Sequence, residues 1–597
     1  MAPESQPPAP TTRGRRPNRR PLIAGLLLVA AALLVGAIWI VVSGWRAHGD
    51  LERMRADVVR LRADLVAGRV ADVHHDLAAI QAEAAAAHNR TTGPAWWVGA
   101  HIPGLGSPLR TIRGIALTGR SLSRTALPEV VAGGVALDPQ QLRVASNRID
   151  LARLEQAGPS LARAVPAVDA ARSRVAGLPA SWLGPVANGR SSLLTQLSSL
   201  EGTLRDTVIA TRVMPAMLGD AGPRNYLVVF EGDNEARAIG GILGGYGVVH
   251  ADHGRLQLSQ FGNDSDLGDV TARVDLGQEF EKAYGGTDAY QSVADADISP
   301  HFPDAARIWS SMAAQRLGIS LDGVIAMDPV ALARVLSVIG PVEMPDGTRL
   351  TGTNLVRLLD VGVYRRFDSG TAADTPARRA FFVAAAQAVT QAALHRSIDT
   401  AALLHALASS AGQRRLLVYA SSPQEEAPLA TTPLAGILPE TTRPFSELVV
   451  TNDSATKLDY YVHRSLTYQR SSCAATTATV TLRLRDAAPR SGLPAYMTQG
   501  VQWGDEPHPP GSEYLIVSLY STQGSSVSRV TLDGGPLGTY TARDRGHPVT
   551  ETSVTIKPGH TVEMVFTVKE PAATGPVILP VQPLAQPMTL RDEAPAC

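Results

Sequence analysis

Between Asn225 and Val249 the chain reads NYLVVFEGDNEARAIGGILGGYGVV, a charge-dense stretch and two glycine pairs set between two apolar runs. The apolar runs, Leu227 to Phe230 and Ile242 to Val249, predict two strands joined by a charged turn. Gly240, Gly241, Gly244, Gly245 and Gly247 remove side chains where the second strand leaves that turn. Bare backbone of this kind suits a bulge, a close packing neighbour or an approaching ligand.

The chain has 597 residues, too many for one hydrophobic core. Lys+Arg 55 balance Asp+Glu 55, so no bulk field draws it to nucleic acid. Any charge-driven partner must meet a local patch. Arg13, Arg15, Arg16, Arg19 and Arg20 precede an uncharged run from Pro21 to Ser43. About 20 apolar residues cross a hydrocarbon core of about 30 Å, so this run predicts an uncleaved membrane anchor. The arginines then stay cytoplasmic, and Trp39 and Trp45 lie near the outer interface. Cys473 and Cys597 are the only cysteines and fall in the part predicted to be outside, where disulfides persist. They either pair, clamping the last residue to the C-terminal domain, or stand as two separate thiols.

Leu51, Met54, Val58, Leu61 and Leu65, then Val70, Val73, Leu77 and Ile80, recur at three- and four-residue steps and predict amphipathic helices. In the connector Gly93 to Leu109, Trp96 and Trp97 serve either core packing or lipid headgroups. From Asn225 short strands alternate with helices: a helix over 302–317, a strand over 323–327, a helix over 329–338, a long helix over 377–396 and a strand over 416–419. Beyond the Pro/Thr/Glu-rich stretch Ser421 to Pro444, Val480, Leu482 and Leu484 alternate with Thr481, Arg483 and Arg485, the pattern of a half-buried strand. Further strands are predicted over 514–520, 527–532, 554–556 and 562–568.

The expected fold class is therefore multidomain α/β plus all-β. It comprises a cytoplasmic tail (1–20), a transmembrane helix (21–43), an extracytoplasmic helical bundle (44–215), an α/β sandwich core (223–420), a linker (421–445) and a C-terminal β-sandwich (446–597).

Two constellations carry candidate chemistry. Asp264, Asp266 and Asp269 share one loop, which is either an oxygen-rich site for Mg²⁺ or a solvated acidic loop. Arg237 precedes the glycine pair Gly240-Gly241, from which its guanidinium reaches a phosphate lying over bare backbone. Arg365, Arg366, Arg378 and Arg379 add planar donors of the kind a pyrophosphate requires, or else are exposed helix-surface arginines. No Walker motif, nucleophile elbow or dinucleotide fingerprint is present.

NYLVVFEGDNEARAIGGILGGYGVV, DADISPHFPDAARIWSSM and LDGVIAMDPVALARVLSVIGPVEMPDGTRLTGTNL together resemble a family of bacterial membrane proteins, common in actinobacteria, known as domain of unknown function four-thousand-twelve. The resemblance runs from about Gly93 to Tyr468. More distantly, Leu321 to Ala388 resembles the LytR-CpsA-Psr cell-wall ligases, through Ile339-Gly340-Pro341-Val342, Leu350-Thr351-Gly352 and the run Arg365-Arg366, Asp374, Arg378-Arg379. That resemblance implies a membrane-anchored cell-envelope enzyme moving a glycopolymer from a polyprenyl-pyrophosphate carrier to the cell wall, with Mg²⁺. In this chain it implies that Arg237, Arg365 and Arg366 are catalytic, that Arg378, Arg379, Gly240 and Gly241 bind phosphate, and that Asp264 and Asp266 hold the metal. The run departs from that of the ligases in its longer spacing from Arg366 to Arg378 and in Ala380, which stands where a glutamine would follow the last arginine. A non-catalytic envelope protein that binds a glycan, a lipid or a protein therefore stands beside the enzyme as the alternative.

Overall fold

The computed structural model describes residues 20–66, 68–104, 106–145, 147–268, 270–396, 398–473, 475–500, 509–572 and 575–595. The chain forms two compact units, Met1–Val135 with Pro159–Arg205, and Ala136–Gly158 with Asp206–Cys597.

The first unit is helical. Helices α1 (Arg20–Val66) and α2 (Val70–Arg90) meet at a turn where Gly68 takes a positive φ of 67°. The three- and four-residue apolar steps bring Leu61, Val73 and Ile80 into one buried cluster with Val131. Buried charge is paired: Asp50 lies between Arg53 and Arg90, the latter at 2.9 Å. Helix α3 (Pro94–Ala100) separates the two tryptophans of the connector. Trp96 is 1 % exposed and donates to Ser43 Oγ at 2.8 Å, whereas Trp97 is 56 % exposed.

The expected fold class is corrected at its N-terminus. Among the described residues no helix is long and apolar enough to cross a membrane. The anticipated transmembrane helix over 21–43 is absorbed into the 47-residue α1, which runs on through Arg46, Asp50, Glu52 and Arg53.

The second unit contains a seven-stranded sheet in the order β1-β2-β5-β4-β3-β6-β9. Its strands are β1 (Arg143–Ala145), β2 (Arg148–Ile149), β3 (Arg224–Arg237), β4 (Gly240–Asp252), β5 (Arg255–Asn263), β6 (Gly323–Met327) and β9 (Leu416–Ala420), while β7 (Val342–Glu343) and β8 (Arg349–Leu350) make a separate small hairpin. Among the described residues of this sheet, β3 and β6 are the one pair that runs parallel. The unbroken apolar run in β3 follows from burial on both faces. Leu227 and Val229 pack with Phe302 and Trp309 of the helix Phe302–Leu317, and Val228 and Phe230 pack on the other side with Leu332 and Leu336 of Pro329–Ile339 and Phe381 of Asp374–His395. Period-two alternation thus sends successive side chains of one strand into two cores, one above and one below the sheet.

Two further sheets follow. One has the order β10-β13-β17-β16, from β10 (Ser446–Asn452), β13 (Glu513–Ser521), β16 (Tyr540–Asp544) and β17 (His547–Ile556). The other has the order β15-β14-β18-β12-β11-β19, from β11 (Val462–Arg470), β12 (Thr477–Asp486), β14 (Ser526–Leu532), β15 (Gly535–Pro536), β18 (Thr561–Lys569) and β19 (Thr589–Glu593). Val480, Leu482 and Leu484 face Leu448, Leu515 and Val517 in a shared core, which makes the pair a sandwich. The stretch 421–445 holds the helix Pro423–Leu429 and the buried side chains of Leu438 and Phe445.

Candidate functional site

The charged segment after the apolar part of β3 is strand, not turn. Glu231 to Arg237 continue β3, with register shifts after Phe230 and between Gly232 and Ala236, and the reversal falls at Ala238 and Ile239. The glycines fit this irregular pairing. A Cβ on Gly241 would lie 2.1 Å from the Gly232 carbonyl oxygen, and one on Gly244 would lie 3.0 Å from the Phe382 ring. What comes close to the bare backbone is the protein itself.

The end of β3 carries its charges into the second unit's interior. Arg237 donates Nε to the Ala294 carbonyl (2.9 Å), Nη1 to the carbonyls of Ala236 and Asn452 (both 3.0 Å), and Nη2 to Glu235 (3.3 Å) and Asp295 (3.1 Å). Lys457 pairs with Glu235, and the Ala236 amide donates to Asp459 Oδ2 at 3.0 Å. Gln582 Nε2 donates to the carbonyls of Arg237 and Val450, each at 2.7 Å, so one amide joins β3 to β10.

Beside this join lies a layer of buried carboxyl groups. Asp328 caps the helix Pro329–Ile339 through the Ala331 amide and pairs with Arg415, which stands 3.9 Å from Asp233 and donates to the Leu584 carbonyl at 2.8 Å. Burial first, then the neighbouring Asp328 and Asp360 carboxyls, push Asp233 well above the ordinary carboxylate range, with Arg415 and Arg464 opposing. Burial and Asp328 raise Asp360 in the same way. These groups favour the neutral form, as closely placed carboxyls in a dry interior must.

The anticipated ligand residues fall into separate settings. Arg366 bridges Asp346 (2.9 Å) and Thr348 (2.7 Å), with its Cζ 5.3 Å from the Phe367 ring centre. Arg378 is buried, donates twice to the Phe367 carbonyl (3.0 and 2.8 Å) and stacks 3.9 Å over Tyr496. Arg379 and Asp264 pair at 2.9 Å, and Asp266 closes a capping box by accepting from the Asn263 amide at 2.8 Å. Arg365 is exposed. Gly240 and Gly241 pair with Arg237 and Ala236 in the sheet. The structure brings Arg366 and Arg378 together around Phe367 and unites Arg379 with Asp264, while Arg237 belongs to the join with β10. Asp269 and Cys597 lie outside the described residues, so the anticipated pairing with Cys473 rests on a residue not described. Among the described residues no group of three or more His, Cys, Asp or Glu side chains is placed to hold a metal ion.

A groove of about 400 Å³ opens elsewhere, on the outer face of the six-stranded sheet. Ser465, Thr467 and Gln469 of β11 supply its floor, flanked by Thr481 and Arg483 of β12 on one side and by β19 on the other. Its one sequence signal is the outward set Thr481, Arg483 and Arg485. The edge strand β19 carries no apolar alternation to announce it and is exposed along its whole length.

Residues 221–364 match the family model described as a protein of unknown function, DUF4012. The match spans β3 through Tyr364 and so contains the charged end of β3, the two glycine pairs, Asp328 and Asp360. No curated protein and no solved structure matches the chain.

Proposed function

We propose that this chain is a cell-envelope protein that binds its ligand outside the cytoplasm without transforming it. The observation that carries this reading is the commitment of the arginines suited to a pyrophosphate. Arg237, Arg366, Arg378 and Arg379 already satisfy carbonyls and carboxylates of their own fold, leaving Arg365 exposed. A guanidinium spent in this way must give up its internal partners before it holds a ligand, at a cost that binding has to offset. Contact with the membrane is part of the proposal, supported by the exposed Leu34, Val35, Ile38, Trp39, Val41 and Trp45 of α1 and Trp97 of α3. So is a Cys473–Cys597 disulfide, which thiol labelling before and after reduction would read: both cysteines label only after reduction, and labelling without reductant would exclude the bond.

The competing reading is glycopolymer phosphotransfer. Incubated with Mg²⁺ and a polyprenyl-pyrophosphate-linked oligosaccharide, the full-length protein should yield no transferred product. Product that disappears in the Arg365→Ala, Arg366→Ala double variant would establish the transferase instead.

A further inference from the structure

We infer that the groove on the outer face of the six-stranded sheet is a binding site for an anionic glycan, with Arg591 as its charge-reading residue. This assignment rests on the binding reading proposed above and names its site and ligand class.

The groove is built by register. Ser465, Thr467 and Gln469 point outward from β11, because Arg464, Leu466, Tyr468 and Arg470 point into the protein and are buried. Directly beside them in the parallel pairing lie Thr589, Arg591 and Glu593, and across the antiparallel pairing Ser465 meets Arg483 and Thr467 meets Thr481. Neighbouring strands lie about 4.8 Å apart, and same-face residues of one strand lie about 6.7 Å apart. The face is therefore a grid of hydroxyl, amide and charged groups at intervals that suit hydroxyls distributed around and between sugar rings. The volume of about 400 Å³ falls within the range of small-ligand sites.

Its chemistry selects among ligands. Every side chain that lines it carries a hydrogen-bonding group, and none is aromatic or aliphatic. A lipid tail or an apolar peptide would gain nothing there, since both bind by removing apolar surface from water. Hydroxyls of serine and threonine both donate and accept, which matches a polyol whose own hydroxyls do the same. Arg483 pairs with Glu563 at 2.7 Å, whereas Glu593 accepts a hydrogen bond from the neutral amide of Gln469 at 2.6 Å and keeps its charge. Arg591 sits between them on the exposed edge strand without an ion pair among the described residues. Arg591, beside Thr467 and with no ion pair among the described residues, offers a charge-assisted bond to one anionic substituent on the sugar chain, a carboxylate or a phosphodiester. Glu593, two residues along the same face, repels a second anion there.

The test is calorimetric titration of the full-length protein with three probes: a linear oligogalacturonate, a glycerol-phosphodiester oligomer and maltohexaose. The oligogalacturonate or the phosphodiester should bind more tightly than maltohexaose, and the stronger of the two identifies the anion. Arg591→Gln should weaken the preferred probe about tenfold, the effect of losing one charge-assisted hydrogen bond. Thr481→Val should weaken all probes that bind. Both residues lie on a solvent-facing strand surface, so thermal unfolding of the variants should match the parent protein. Failure of every probe to bind at millimolar concentration would overturn the site. So would equal binding by the parent and both variants, and that outcome would leave the binding reading intact while moving its site elsewhere.

Discussion

Replacing Arg237 by alanine should cost about 3–5 kcal/mol of stability, the range for removing one member of a buried ionic network. The side chain is 8 % exposed and makes five hydrogen bonds, reaching Ala294 and Asp295 on one side and Asn452 of β10 on the other. Alanine leaves the Asn452 carbonyl without this donor and Glu235 with Lys457 alone, in an interior where unpaired polar groups are expensive. Urea denaturation of the full-length protein should show the loss as a lower midpoint, with the second unit's β-sheet signal disappearing first. The double variant Arg365→Ala, Arg366→Ala should be nearly neutral by the same measurement, because Arg365 is exposed and the Arg366–Asp346 pair is partly solvated.

Arg415→Met should be comparably damaging, with a sign of pH dependence that identifies its cause. Arg415 is the guanidinium paired with Asp328 and nearest to Asp233. Methionine fills similar volume, so the loss of about 3–5 kcal/mol comes from charge and not from a cavity. Burial already holds Asp233, Asp328 and Asp360 above the ordinary carboxylate range, and removing the cation raises Asp328 further. A carboxyl whose pKa is raised in the fold binds a proton that the unfolded chain releases above about pH 4. Its contribution to stability therefore falls as pH rises from about 4 towards neutrality. The gap between Arg415→Met and the parent protein should be wide at neutral pH and narrow near pH 5, as measured by chemical denaturation at both. A gap independent of pH would mean that the residue acts through packing.

Much of the secondary structure was legible because local pattern and burial agree. The strand at 323–327 and the helices at 302–317 and 329–339 lie where apolar periodicity puts them, and Asp328 ahead of Pro329 is a helix start readable from sequence. The end of β3 was not legible. EGDNEAR reads as an exposed turn because nothing local balances so much charge, and its partners Asn452, Asp459 and Gln582 arrive hundreds of residues later. The glycines pointed correctly to a close approach, but whether a ligand or the chain's own Gly232 carbonyl and Phe382 ring makes it is decided by register shifts that sequence does not reveal. The stretch 421–445 reads as a linker by composition and instead buries Phe445 and Leu438, since proline and threonine say little about what a loop packs against. At the N-terminus, an apolar run continuous with an amphipathic helix gives one long α1, and hydropathy alone does not mark where the first ends and the second begins. In the groove, β12 betrayed its outward polar set through alternation. The parallel addition of β19 depended on a pairing that no local pattern encodes.

The central claim is that the charge at the end of β3 serves architecture. The most direct measurement is thermal unfolding of the full-length protein and its Arg237→Ala variant, each with and without pyrophosphate and Mg²⁺. A ligand that binds the folded state alone raises the midpoint by mass action. The expected result is a parent midpoint unmoved by pyrophosphate and a variant midpoint well below it under both conditions. A parent midpoint raised by pyrophosphate, with a variant equally stable in buffer but unresponsive, would contradict the account and return Arg237 to a phosphate site.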